Sequence, residues 1–133
     1  MELSTINWLA VLVAALSTFI LGGLWYGPLF GRSWMRASGM TEERANAGNK
    51  GRIFGLSLVL QFIAALVLDM FIGAEGNLAF GTAAGAAVGI FWVATAFAVV
   101  YLFEQRPVGH WAVNAFYHIV SYTVMGAILG GWN

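Results

Sequence analysis

Charge is missing from most of this chain, and the places where it is missing decide what the chain can become. Charged residues stand only at positions 2, 32, 36, 42, 43, 44, 50, 52, 69, 75, 104 and 106. Between them run long apolar intervals. A helix needs about 20 apolar residues to cross a hydrocarbon core about 30 Å thick, and unpaired backbone groups are costly in lipid, so such intervals must be helical. Four intervals are long enough. The spacing predicts an all-α, integral membrane four-helix transmembrane bundle running up-down-up-down, one membrane domain over residues 1–133. Its helices are expected over about 6–26, 53–72, 78–103 and 108–132, with a loop over 27–52.

Local signals support these limits. Gly27-Pro28 should end the first helix, because proline supplies no backbone donor and its ring crowds the preceding turn. Lys50 and Arg52 precede the second, and Gly73, Glu75, Gly76 and Asn77 follow it. The third and fourth are joined by Glu104-Gln105-Arg106-Pro107, a connection short enough to make them antiparallel neighbours. The first apolar stretch does not resemble a secretory signal, since it begins with Glu2, runs long and ends in Trp-Tyr-Gly-Pro.

Composition excludes several classes. Apolar residues make up 60% and charged residues 9%, against about 25% charged in a soluble domain. A formal net charge of zero offers no field for nucleic acid. Without cysteine, thiolate nucleophiles, disulfides and cysteine metal sites are excluded together.

Lysine and arginine set the orientation, because positively charged loops stay in the cytoplasm. All six lie between Arg32 and Arg52 or at Arg106. Loops 27–52 and 104–107 are therefore expected in the cytoplasm of a cell-membrane protein, with both termini outside. Within the long loop, Thr41 before Glu42 and Glu43 predicts a short helix near 42–47, a capping oxygen followed by acids at the positive end of the dipole. Trp25, Tyr26, Pro28 and Trp34 read as an interfacial anchor, or as an aromatic lining where the Gly-Pro break exposes backbone to a ligand.

Helix contacts in lipid depend on close packing, which favours small residues. Gly81, Gly85 and Gly89 share one face of the third helix, and Gly126 and Gly130 repeat the pattern in the fourth. These faces suit either a contact within the chain or a homo-oligomer. Polar residues at membrane depth form a second pattern. Asn114, His118, Ser121 and Tyr122 lie at i, i+4, i+7 and i+8, and Gln61 and Thr95 are expected at similar depth, with Ser17 and Thr18 nearby. This seam, centred on His118, reads in two ways. It is an interhelical hydrogen-bond set in which His118 donates to Gln61, Asn114 or a carbonyl, or it is a proton- or solute-handling site of a transporter. Asp69 lies one turn from the outer end of its helix, where its carboxylate is expected to reach the headgroups, or to take a place in an outward-facing pathway.

No catalytic, metal or cofactor-binding set stands out, and no enzymatic activity is expected. The expected partner is the lipid bilayer, and the leading expectation is a structural, interaction or channel-like subunit.

One resemblance spans nearly the whole chain. Asn7, the run Gly22-Gly23-Leu24-Trp25-Tyr26-Gly27-Pro28-Leu29-Phe30-Gly31, Trp34-Met35, and Gly39-Met40-Thr41-Glu42 carry its first half. Asn114, Tyr117-His118, Met125-Gly126-Ala127-Ile128-Leu129 and Trp132 carry the second. In these the chain resembles the domain of unknown function 1761 family. The resemblance implies a small protein with four membrane helices and brings no activity with it.

Overall fold

The computed structural model describes residues 6–132, and among them every regular element is helical. Four elements are long and apolar enough to cross a membrane: α1 (Trp8–Leu29), α4 (Lys50–Ile72), α5 (Leu78–Phe103) and α6 (Val108–Gly131). Two short helices, α2 (Gly31–Ser38) and α3 (Glu42–Ala47), lie between α1 and α4. The outward faces of the long helices are apolar and exposed, as at Ile20, Leu60, Phe91 and Trp92. A contiguous surface of that kind requires lipid or protein against it.

Side-chain caps fix where the helices start. Oδ1 of Asn7 accepts from the Ala10 amide, Oγ1 of Thr41 from Arg44, Oδ1 of Asn49 from Arg52, and Oδ1 of Asn77 from Phe80. Each satisfies a first-turn donor that the helix itself cannot pair. The Asn49 cap places the start of α4 at Lys50, three residues before the expected Ile53. Gly39 and Gly73 close α2 and α4 with φ of 76° and 78°, a left-handed backbone that glycine adopts without steric cost. Gln105 takes the same role after α5 with φ of 58°. The amides of Gln105 and Arg106 bond back to the Leu102 and Tyr101 carbonyls, a pairing that closes the last turn.

Gly27-Pro28 does not end α1 near Tyr26 as its sequence suggests. The helix widens to a π-turn over Trp25–Leu29 with Pro28 inside it, and the Phe30 amide reaches the Trp25 carbonyl at 2.7 Å. A proline clashes with the carbonyl four residues back in an α-helix, and a wider turn relieves that clash. A second π-segment, Gly89–Ala94, interrupts α5.

Packing is uneven along the helices. The buried core gathers Ala10, Val11, Ala14 and Ala15 of α1, Ala65, Leu68 and Ile72 of α4, Ala84 of α5, and Met125 and Leu129 of α6. All lie toward the end of the molecule away from α2 and α3. Asp69 is inside this region at 6% exposure, so its position near a helix end does not leave it open to headgroups. The most extensive contact joins α5 to α6. A side chain at Gly81 would strike the backbone of Gly126 and Gly130, one at Gly85 the Tyr122 carbonyl, and one at Gly89 the Ile119 backbone. The glycine faces thus meet within one chain. Toward the other end, α2 lies across the start of α6, and α1 and α4 spread apart.

Candidate functional site: a polar cavity between three helices

The spreading of α1 and α4 leaves a half-open cavity of about 530 Å³ with α6 as its floor. That volume lies in the range of small-molecule sites. Helical spacing explains the wall that α1 provides. Thr18, Gly22 and Tyr26 recur every fourth residue, Phe19, Gly23 and Gly27 form the adjacent row, and both rows face the cavity. From α4 come Ile53, Phe54, Ser57 and Gln61, and from α6 come Tyr117 and His118. Among the described residues no charged side chain lines it. A Cβ at Gly23 or Gly27 would meet nothing within 4 Å, so the α1 wall is bare backbone at these points.

Hydrogen bonds hold the frame of this cavity. The Tyr26 hydroxyl donates to Oδ1 of Asn114 at 2.6 Å, and Nδ2 of Asn114 donates to the Tyr101 hydroxyl at 2.9 Å. One amide side chain therefore ties α1 and α5 to α6. Nε1 of Trp25 donates to the Val113 carbonyl at 2.9 Å, and the Tyr117 hydroxyl donates to the Thr18 carbonyl at 2.8 Å. On the far side, Nε1 of Trp111 donates to the Ala94 carbonyl at the end of the α5 π-segment. Trp34 of α2 sets its ring edge-on to Tyr26, with centroids 5.6 Å apart. Trp25, Tyr26 and Trp34 accordingly face protein, and Tyr26 also lines the cavity. Pro28 is exposed in its widened turn.

The residues of the predicted seam do not stay together. His118 and Gln61 meet at the cavity, and neither makes a hydrogen bond to any described residue. The His118 ring lies over Phe97 at 5.1 Å and meets Tyr117 edge-on at 5.0 Å, contacts that fix its plane and leave its nitrogens unpaired. Asn114 belongs to the frame. Ser121 is buried at 1% exposure, and its hydroxyl sits close to Tyr117 without hydrogen-bond geometry. Tyr122 faces elsewhere, into an apolar hollow between α4 and α5 lined by Leu68, Phe71, Ala84 and Trp92. From Asn114 to Tyr122 the side chains turn about 80° around the helix, enough to take Tyr122 off the Asn114 face. Thr95 is exposed, and its hydroxyl bonds back to the Phe91 carbonyl at 2.7 Å.

Three members escape the sequence reading. Ser57 stands one turn before Gln61 on the same face of α4, and its hydroxyl also has no partner among the described residues. Its i, i+4 spacing from Gln61 is the signal that identifies it. Tyr101 and Trp111 carry no such signal, because their partners depend on how α5 and α6 are rotated. His110 is buried at the base of α6, stacked on Tyr101 at 4.6 Å and away from the cavity, with Nδ1 unpaired. Among the described residues no three His, Asp or Glu side chains come close enough to hold a metal ion.

No curated protein and no solved structure matches the chain. The family described as Protein of unknown function (DUF1761) matches residues 9–130, nearly its whole length. The chain belongs to that family.

Proposed function

We propose that this protein is a membrane-embedded solute-binding protein of the carrier type, without enzymatic activity, and that His118 and Gln61 contact the solute. One observation carries the reading: Ser57, Gln61 and His118 converge on one cavity with their hydrogen-bonding groups unused by any described residue. Polar groups at membrane depth are costly unless water or a partner meets them. A seam that served only to hold helices together would satisfy His118 internally. That role falls instead to Asn114, Tyr26, Tyr101, Trp25 and Tyr117.

In this proposal the four helices cross the cell membrane up-down-up-down, with loops 27–52 and 104–107 cytoplasmic and both termini outside. The cavity then opens in the cytoplasmic half. A homo-oligomer would have to form through faces other than Gly81, Gly85, Gly89, Gly126 and Gly130, which pack inside one chain.

The test is solute and proton flux in proteoliposomes, comparing the native chain with His118→Ala and Asn114→Ala. His118→Ala is expected to abolish saturable flux with its unfolding transition unchanged, whereas Asn114→Ala should lower stability first. Flux no different from that of empty liposomes with the native chain, across a panel of neutral and charged solutes, would sink the carrier reading.

A further inference from the structure

We infer that the cavity takes a neutral, flat, ring-containing amphiphile with one hydrogen-bonding group, and that this molecule arrives laterally from the bilayer. The inference rests on the solute-binding reading above and names the class of solute.

Neutrality follows from the lining. Among the described residues no Asp, Glu, Lys or Arg borders the cavity. An ion brought there would lose its hydration without a counter-charge, a loss far larger than a few hydrogen bonds return. A single polar group, by contrast, has partners waiting. The Gln61 amide can donate and accept, the Ser57 hydroxyl can do both, and His118 offers one of each when neutral.

Flatness follows from the walls. Phe19 and Phe54 face each other across the gap between α1 and α4, with centroids 6.3 Å apart and planes at 57°. Across the floor, Tyr26 meets Tyr117 edge-on at 5.2 Å. Gly23 and Gly27 leave the adjoining strip of α1 without side chains. Bare backbone beside tilted rings accommodates a thin, planar body, and aromatic groups gain from offset or edge contacts beyond the area they bury. The route of access follows from the rim. Gly23, Gly27, Ile53 and Phe54 are all exposed and apolar, on faces that the proposed topology turns toward lipid. A molecule dissolved in the bilayer meets no polar barrier there.

Three probes of one ring system separate the terms of the proposal: 2-naphthol, which is neutral with a hydroxyl, naphthalene, which lacks it, and 2-naphthoate, which is anionic. Binding is measured by equilibrium dialysis against the full chain in phosphatidylcholine nanodiscs, corrected for partition into protein-free discs. Saturable binding of 2-naphthol is expected, at least about tenfold tighter than that of naphthalene, because naphthalene leaves Gln61 and His118 unpaired. Gln61→Leu should reduce that preference while naphthalene binds as before. Gly23→Leu should abolish binding of both, since Gly23 lines the cavity and a Cβ there meets no described atom within 4 Å; an unchanged unfolding transition shows that it folds. Tighter binding of 2-naphthoate than of 2-naphthol overturns the neutral class and leaves the cavity as a solute site. Saturable binding that Gly23→Leu does not alter, or none for any probe, overturns the site as well.

Discussion

Asn114 sits in the second turn of the apolar helix α6 and uses both ends of its amide, one on Tyr26 and one on Tyr101. Hydrogen bonds between membrane helices contribute about 0.6 to 2 kcal/mol each. Asn114→Ala removes two of them and leaves two hydroxyls behind. It is expected to cost about 1–3 kcal/mol in unfolding from mixed micelles, and Tyr26→Phe about half as much. The pair should couple in a double-mutant cycle, with the double variant less destabilised than the sum of the singles. Additive losses would mean that the Tyr26–Asn114 bond contributes nothing. His118→Leu should behave differently, with little loss of stability, because no hydrogen bond to a described residue goes with it. The sequence reveals that Asn114 and His118 are both polar residues of an apolar helix and lie on neighbouring faces. It does not reveal that one is bonded and the other free, since that depends on where Tyr26 and Tyr101 point from other helices.

Helices in this protein are governed by their caps and their glycines. Spans are legible from hydropathy to within a few residues, and α3 appears where Thr41, Glu42 and Glu43 indicate it. The π-turn at Pro28 is not legible, because a Gly-Pro pair reads as a stop until the following segment is seen to continue. Small-residue spacing discloses that α5 packs closely on something, and the structure identifies the partner as α6. Two glycine substitutions test that contact by their contrast. Gly85→Ala places a methyl against the Tyr122 carbonyl and should destabilise by about 1–3 kcal/mol, the usual cost of overpacking a filled interface. Gly23→Ala meets open space and should be neutral or stabilising, since alanine favours helix over glycine by up to about 1 kcal/mol in water. Equal effects at the two positions, measured in the same unfolding assay, would remove close backbone approach as the reason for the glycine stripe.

At the scale of the molecule, the polar cavity lies apart from the alanine-rich core. The alanine-rich core joins the four helices at one end, and α1 parts from α4 at the other. The packed end fixes how the helices meet, and the open end holds the cavity. α2 is positioned to brace the open end, because it touches Tyr26 through Trp34 and crosses the start of α6. Which side of the membrane this end faces is set, in our reading, by six cations that all lie in or beside two loops. The chain contains no cysteine, so each introduced thiol is unique. Ala47→Cys at the end of α3 and Glu104→Cys just after α5 keep every lysine and arginine in place, as does Ala74→Cys between α4 and α5. All three positions are exposed. With a membrane-impermeant maleimide, Cys at 74 is expected to label in intact cells, and Cys at 47 and 104 only after permeabilisation. The reverse pattern would invert the orientation and place the cavity in the outer half. Labelling of 47 and 104 from opposite sides would be the more serious result, because an even number of crossings between them is what makes α1 and α6 neighbours able to share the Trp25 and Tyr117 hydrogen bonds.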